Sequence, residues 1–369
     1  MTSLLHPFSS SRFQEMDAIE ALIGRAGSRL RSDVICQVEH RGARLPVHCL
    51  ELGSTSRDAP AIGFFGGVHG VERIGTQVLL AFLHALIERL RWDDTFAQML
   101  DRLRLVFVPL VNPGGMLSQT RANPNGVDLM RNAPVEGDDD VSWFLGGQRL
   151  SRRLPWYRGR LDAPMEPEAQ ALCRVVEERL HPHPFSLTLD CHSGFGSTDR
   201  IWFPYARTRT PIEALPEIYA LRTLFRSTHP YHNIYIIEPQ ARQYTTHGDL
   251  WDYLCDRARA YAGHHVFLPL TLEMGSWMWV RKSPGQALKL LGMFNPLVPH
   301  RHQRALRRHL TFMEFLLRAA ISHDRWRPSA EERPRMRETA LAYWYRSLTP
   351  GPDDPPCGSG QGKMERFPF

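Results

Sequence analysis

Four short segments of this 369-residue chain are mainly apolar on both faces. They span residues 61–65, 103–111, 185–191 and 266–272. This pattern is typical of buried strands in a parallel or mixed sheet. Residues 73–91, between the first two, place their polar side chains on one stripe, which predicts a helix packed on the sheet. The sequence therefore predicts an α/β fold: a mixed, mostly parallel, twisted sheet with helices on both faces.

The rest of the chain predicts further elements around this centre. Residues 8–30 predict a leading helix, and residues 34–40 and 45–52 predict two strands. Later helices are predicted at residues 166–180, 300–321 and 330–347. Residues 349–362 are rich in Pro and Gly, which predicts disorder. We expect an N-terminal helical segment, a catalytic domain, and a C-terminal extension that is partly helical and then disordered, at residues 1–34, 35–322 and 323–369.

Composition excludes several classes of protein. With 43% apolar and 23% charged residues, the chain is long enough to bury a large core, so it is neither fibrous, disordered nor disulfide-stapled. The net charge is +6, and only three of the 45 basic residues are lysines. The arginine cluster at residues 301–308 lacks interleaved aromatic residues, so we expect no nucleic-acid partner.

The cysteines and the N-terminal sequence favour a cytoplasmic protein. Six cysteines without a C-x-x-C pair indicate reduced thiols. The first residues lack the pattern of a secretory signal. The most apolar stretch, residues 78–90, is too short and too interrupted by charge to span a bilayer, so we expect no membrane partner. The sequence leaves the oligomeric state open.

Polar side chains stand at the end of each apolar segment. In chain order they are His69 and Glu72, Asn112, His192, and Glu273. One H-x-x-E motif is weak evidence, since a surface histidine and a helix-opening glutamate give the same pattern. The carboxyl ends of parallel strands meet at one edge of a sheet, however, so four such ends predict a shared site.

The residue types in this site suit a catalytic zinc ion. Two histidines and a carboxylate are a common ligand set that leaves one position open for water. We expect His69, Glu72 and His192 to bind one Zn²⁺ per chain. Glu273 is then a second carboxylate that can move a proton from water to a leaving group. Asp128 is a candidate to accept the other ring N–H of a ligating histidine.

Together with further motifs, these residues resemble the zinc carboxypeptidases of the carboxypeptidase A type (peptidase family M14). That family's pattern is H-x-x-E, N-P-D-G, an arginine, G-V-D-x-N-R-N, a distant H-S, a tyrosine and a final glutamate. The matching positions follow in the same order: His69 and Glu72, residues 112–115, Arg121, residues 126–132, His192 and Ser193, Tyr244, and Glu273. The resemblance spans residues 35–320 and implies the family's α/β fold and a zinc-dependent hydrolase of a small peptide or acylated amino acid.

The resemblance also implies roles for residues around the metal. Arg121 would stabilise the oxyanion of the tetrahedral intermediate. Arg131 would pair with a substrate carboxylate, for which a planar guanidinium is well suited. Tyr244 would close over the bound substrate. Met130 and Asn132, on either side of Arg131, are expected beside the substrate.

Three positions depart from the family pattern. Met130 replaces the family's asparagine, which removes one polar partner for a terminal carboxylate. Gly114 replaces the aspartate of N-P-D-G, where glycine eases the turn. Trp251 matches a position that helps set side-chain preference, so we expect its ring to narrow or reshape the substrate pocket.

Three functions stay open on the sequence. The first is a carboxypeptidase-like hydrolase of peptides or murein peptides. The second is an N-acyl amino acid amidohydrolase of the succinylglutamate desuccinylase and aspartoacylase type. The third is a zinc protein without catalysis. Tyr244 with its following Gly and Asp favours the first function, and the intact base Glu273 argues against the third.

Overall fold

The eight strands that the structure describes hydrogen-bond into one sheet. The computed structural model describes residues 13–138, 141–261 and 265–345. Its strands are β1 (Arg31–His40), β2 (Ala43–Gly53), β3 (Ala61–Gly66), β4 (Arg104–Val108), β5 (Phe185–Ser193), β6 (Asp199–Phe203), β7 (Tyr235–Pro239) and β8 (Val266–Met274). They lie across the sheet in the order β1-β2-β4-β3-β5-β8-β6-β7.

The four apolar segments of the sequence are the four central strands. Strands β4, β3, β5 and β8 are neighbours and run parallel. On either side, β2 pairs antiparallel with β4, and β6 pairs antiparallel with β8. The predicted mixed, mostly parallel sheet is therefore confirmed. Because the central strands are parallel, their carboxyl ends lie at one edge.

Helices cover both faces of this sheet. They are α1 (Gln14–Ala26), α2 (Arg73–Arg89), α3 (Asp94–Leu100), α4 (Pro113–Ser118), α5 (Pro167–Arg179), α6 (Leu215–Thr228), α7 (Leu250–Ala258), α8 (Trp277–Lys282), α9 (Pro299–Arg308), α10 (Leu310–Ile321), α11 (His323–Trp326) and α12 (Arg333–Trp344). Successive side chains of a strand face opposite sides. Thus Ile62 and Phe64 of β3 belong to the apolar cluster that includes side chains of α1, α2 and α10, whereas Phe65 belongs to the cluster that includes side chains of α5 and α7.

Local predictions succeed where the hydrophobic pattern is strong. The helices predicted over residues 73–91 and 166–180 are present as α2 and α5, with small differences at the ends. The single helix predicted over residues 300–321 is instead two helices, α9 and α10, which meet at His309. No Gly or Pro marks this break in the sequence. Strands β6 and β7 escape prediction because each has only five residues and includes at least one charged residue.

Side-chain ion pairs connect the terminal helices to the sheet-covering helices. The buried carboxylate of Glu15 in α1 accepts hydrogen bonds from Arg73 and Gln77 in α2. Arg333 of α12 donates to Glu217 of α6 over 2.8 Å. The domain division at residues 34 and 322 stays a prediction, and the predicted disordered tail lies outside the described residues. Within the described ranges, no helix combines the length and apolarity needed to cross a bilayer.

Candidate metal centre

The carboxyl edge of the central strands brings the predicted site residues together. His69 and Glu72 lie in the turn that leads from β3 into α2. His192 lies near the end of β5, directly opposite Glu273 of β8 in the strand register. All four side chains are buried. The strand topology therefore brings these four side chains together, although about two hundred residues separate the first from the last in the sequence.

His69, Glu72 and His192 converge on each other through their potential ligand atoms. His69 Nδ1 lies 2.8 Å from Glu72 Oε1, and His192 Nδ1 lies 3.1 Å from Glu72 Oε2. The two Nδ1 atoms are 3.2 Å apart. In the part of the chain that the structure describes, this is the only group of three such residues whose ligand atoms all lie within 4.8 Å. Two imidazole nitrogens and a carboxylate in so small a volume fit a zinc ion.

The far nitrogen of each histidine meets an aspartate. His69 Nε2 lies 3.1 Å from Asp128 Oδ1, and His192 Nε2 lies 2.7 Å from Asp190 Oδ2. Such a carboxylate fixes the tautomer and the orientation of the ring. Asp128 is predicted for this position from the sequence, whereas Asp190 is not. The signal for Asp190 is its Asp-x-His spacing, because residues two apart on a strand share one face.

Arg121 holds two carboxylates of the cluster and reaches solvent. Its Nε donates to Asp128 Oδ2 over 2.9 Å, and its Nη1 donates to Glu72 Oε1 over 3.3 Å. The Arg121 side chain is 27% exposed, whereas those of Glu72 and Asp128 are at most 3% exposed. The guanidinium is therefore fixed in direction and open to a ligand, which suits stabilisation of a developing negative charge.

Glu273 is a buried carboxyl beside the cluster. Its Oε1 accepts a hydrogen bond from the Phe195 amide over 2.9 Å. Burial, together with the charge of Glu72, raises the pKa of Glu273 to about 8. A cation held by the three neighbouring ligands would lower this pKa, because an opposite charge favours the carboxylate form. Glu273 is thus placed to exchange a proton near neutral pH.

Arg131 and Tyr244 form the next part of the site. Arg131 is only 3% exposed, and its Nε and Nη2 donate to the Leu145 carbonyl over 3.4 and 3.3 Å. Burial raises the pKa of Tyr244, and the positive charge of Arg131 opposes that shift. The Tyr244 phenol is therefore close to the Arg131 guanidinium, which the sequence predicts to bind a substrate carboxylate.

The side chain of Asn132 hydrogen-bonds to the backbone at both ends, and its place beside the substrate stays a prediction. Its side-chain Nδ2 donates to the Arg158 carbonyl over 2.9 Å, and its Oδ1 accepts from the Glu166 amide over 2.6 Å. Both ends of the amide are therefore engaged with the backbone. Asn132 thus connects the loop of Arg158 to the start of α5.

These residues lie within a region that matches a known family. A family model described as zinc carboxypeptidase, peptidase family M14, matches residues 41–276. The chain belongs to the zinc carboxypeptidase family.

Curated relatives of the zinc carboxypeptidase family match parts of the chain. Carboxypeptidase D of Anas platyrhynchos is 26% identical over 182 residues, which cover 47% of this chain and 11% of that protein. Murein peptide amidase A of Escherichia coli K12 is 33% identical over 152 residues, which cover 39% of this chain and 55% of the relative. The chain thus spans only a small part of the length of carboxypeptidase D.

Two solved structures share the fold of this chain. Thrombin activatable fibrinolysis inhibitor aligns with a TM-score of 0.64 and 18% identity, covering 86% of this chain and 78% of that one. Carboxypeptidase A of Helicoverpa armigera aligns with a TM-score of 0.61 and 18% identity, covering 82% of this chain and 71% of that one. At this identity, the likeness shows the architecture of the sheet and its helices.

Two residues that depart from the zinc carboxypeptidase pattern are buried. Met130 is 6% exposed and belongs to the apolar cluster on the α5 and α7 face. Trp251 is 2% exposed, its ring lies 5.2 Å from that of Phe65, and its Nε1 donates to Asp190 Oδ2 over 2.9 Å. The sequence predicts Trp251 in the substrate pocket, but the structure packs its ring behind the metal cluster, against Phe65 and Asp190. The error arises because a matched position does not fix the direction of a side chain.

Proposed function

We propose that this protein is a zinc-dependent hydrolase that cleaves an amide bond next to a substrate carboxylate. The observation that carries the proposal is the convergence of His69, Glu72 and His192 with Glu273 directly opposite in the strand register. Membership of the zinc carboxypeptidase family supports it. We further propose one zinc ion per chain, bound by the two histidine Nδ1 atoms and the Glu72 carboxylate.

Each neighbouring residue has a distinct task in this proposal. The zinc ion would polarise the scissile carbonyl and acidify the attacking water. Glu273 takes a proton from that water and passes it to the leaving amine. Arg121 stabilises the oxyanion with its exposed N–H groups. Arg131 pairs with the substrate carboxylate, and Tyr244 covers the bound substrate. Asp128 and Asp190 keep the histidine rings in their orientation.

A murein peptide is a second candidate substrate. The relative from Escherichia coli is named murein peptide amidase A and is 33% identical over the matched part. The buried thioether of Met130 supports this candidate, because it offers no hydrogen bond to a terminal carboxylate. Arg131 would then pair with a carboxylate elsewhere in the substrate. We retain a small peptide or an acylated amino acid as the substrate class.

The proposed location is the cytoplasm. The five cysteines in the described residues are free thiols, which supports a reducing compartment. We propose neither a nucleic-acid nor a membrane partner.

The substitution Glu273→Gln tests the proposed reaction. We expect amide hydrolysis to fall by about 10²–10⁴-fold, since the amide cannot take up a proton from water. Zinc content should stay at about one ion per chain, because three ligands suffice for a catalytic site. Zinc is measured by elemental analysis, and turnover on a panel of free and amidated peptides, acylated amino acids and murein peptides.

Glu178→Gln is the matched control for this test. Glu178 is exposed on α5, and the same chemical change there should leave turnover unchanged. Unchanged turnover of the Glu273→Gln protein, or purified wild-type protein that takes up no zinc, would contradict the proposed function.

A further inference from the structure

We propose that Trp251 is a positioning residue of the zinc site, which acts on His192 through Asp190. The inference rests on the proposed binding of zinc by His192. It gives Trp251 a task different from the selection of substrate side chains that its place in the sequence suggests.

One carboxylate oxygen joins the indole to the imidazole. Trp251 Nε1 donates to Asp190 Oδ2 over 2.9 Å, and the same oxygen lies 2.7 Å from His192 Nε2. The exposed fractions of Trp251, Asp190 and His192 are 2%, 0% and 3%. Water therefore has no access to replace either hydrogen bond.

The fold fixes the indole against this oxygen from two directions. Asp190 of β5 pairs in register with Phe65 of β3, so both side chains lie on the same face of the sheet. The Trp251 ring packs edge-on against Phe65 at 5.2 Å. Asp249 caps α7 by accepting hydrogen bonds from the amides of Trp251 and Asp252, which fixes the start of the helix that carries the indole.

Asp190 depends on this hydrogen bond because its other oxygen has none. Asp190 Oδ1 is buried without a hydrogen-bond partner in the structure. If the indole N–H is removed, His192 is the one remaining hydrogen-bond partner of the carboxylate among the described residues. A buried carboxylate with so few partners is destabilised and free to tilt. The His192 ring would tilt with it, and the ligand atom Nδ1 would leave its position beside Glu72.

The burial of Trp251 separates this task from substrate selection. The Trp251 ring packs on Phe65 of the sheet, and its one N–H is donated to Asp190, so it offers a substrate no polar group. A positioning residue should change the affinity for zinc in the absence of any substrate. A specificity residue should change the ranking of substrates and leave the zinc affinity as it is.

The test compares two tryptophan-to-phenylalanine variants of the full chain. Trp251→Phe keeps an aromatic ring and removes the N–H. Trp344→Phe is the matched control, since Trp344 is also 2% exposed and its Nε1 donates to the Ile237 carbonyl over 2.8 Å, in the apolar cluster on the other face. The zinc dissociation constant is measured by competition with a chelator, and the melting temperature of each metal-free protein is recorded.

We expect Trp251→Phe to weaken zinc binding about tenfold, at the lower end of the 10–100-fold effects of groups that orient metal ligands. Both variants should lower the melting temperature of the metal-free protein by similar amounts, because each loses one buried hydrogen bond. Trp344→Phe should leave zinc affinity unchanged. The substitution is repeated in an Asp190→Ala background, which has no acceptor for the indole N–H. There Trp251→Phe should cause no additional loss of zinc affinity, because residues that act through one group are not additive.

Each other outcome overturns the inference. Zinc affinity equal to that of the wild type, or an equal loss in Trp344→Phe, excludes a positioning role for Trp251. A further tenfold loss in the Asp190→Ala background excludes the route through Asp190. A wild-type protein that binds no zinc overturns the proposed function itself, so the two failures are distinguishable.

Discussion

The charges around His69 and His192 favour the binding of a cation between them. Glu72, Asp128 and Asp190 are carboxylates that are at most 5% exposed, and Arg121 is the guanidinium that contacts two of them. Negative charge therefore exceeds positive charge in a buried space while the imidazoles are neutral. Buried charges are stable only when they are paired, and a divalent ion between the histidines supplies the missing positive charge. The ligands and the groups that orient them form one electrostatic unit.

The substitution Arg131→Lys tests which part of the substrate the site recognises. We expect kcat/KM for a peptide with a free terminal carboxylate to fall about 10–100-fold, because lysine cannot make the two parallel hydrogen bonds of a guanidinium. The same peptide with a terminal amide should react at the wild-type rate. The measurement is kcat/KM for both peptides with both proteins.

Arg257→Lys provides the comparison at an exposed arginine. Its side chain is 54% exposed on α7 and pairs with Glu177, so this change should alter neither rate. An equal loss on both peptides would show that Arg131 acts only through its hydrogen bonds to Leu145. That result would contradict the proposal that Arg131 pairs with a substrate carboxylate.

Among the secondary-structure elements, α2 and β5 set the distance between ligands. A Cβ atom at Gly75 of α2 would lie 2.1 Å from the Cys191 carbonyl oxygen of β5. Glu72 immediately precedes α2, and His192 follows Cys191. Because only glycine permits this approach, the packing of helix on strand brings the two metal-binding side chains together.

The substitution Gly75→Ala should therefore separate the ligands as well as destabilise the fold. We expect a loss of about 1–3 kcal/mol in the free energy of unfolding, as for other overpacked sites, and weaker zinc binding. Gly24→Ala is the control, because nothing lies within 4 Å of a Cβ there and Gly24 is exposed in α1. It should stabilise the protein by about 0.5–1 kcal/mol. Equal melting temperatures and zinc affinities for wild type and Gly75→Ala would refute the role of this contact.

The strength of the hydrophobic pattern decides which elements the sequence predicts. The central strands and α2 are predictable because burial on both faces demands nearly continuous apolar runs. The edge strand β7 and its neighbour β6 are short and carry polar residues, so their pairing depends on neighbours far away in the sequence. The break at His309 is set by packing and has no Gly or Pro signal.

The same limit applies to the side chains of the site. His69, Glu72, His192 and Glu273 are predictable because parallel strands must end at one edge, whatever the details of packing. The direction of Trp251 depends on the rotation of α7 about its axis and on the opposing Asp190. Such a contact between elements is not visible in local spacing.

At the scale of the whole molecule, a buried histidine connects stability to pH. His309 lies between α9 and α10, is 2% exposed, and its Nδ1 lies 2.9 Å from the Tyr235 hydroxyl of β7. Burial lowers the pKa of His309 to about 4, with smaller effects of Asp199, Arg308 and His232. The ring is therefore neutral in the folded protein at pH values where the unfolded chain already takes up a proton.

The substitution His309→Gln should reduce the loss of stability in acid. Below the ordinary histidine pKa of about 6.5 the unfolded state binds more protons, so the contribution of His309 is complete above that pH and declines as pH falls towards 4. A pKa shift of this size corresponds to a loss of about 3 kcal/mol in the free energy of unfolding once the pH has fallen to about 4. We expect the melting temperature to fall less between pH 7 and pH 4.5 in His309→Gln than in the wild type, with both proteins metal-free. Parallel falls in the two proteins would show that His309 does not couple folding to pH.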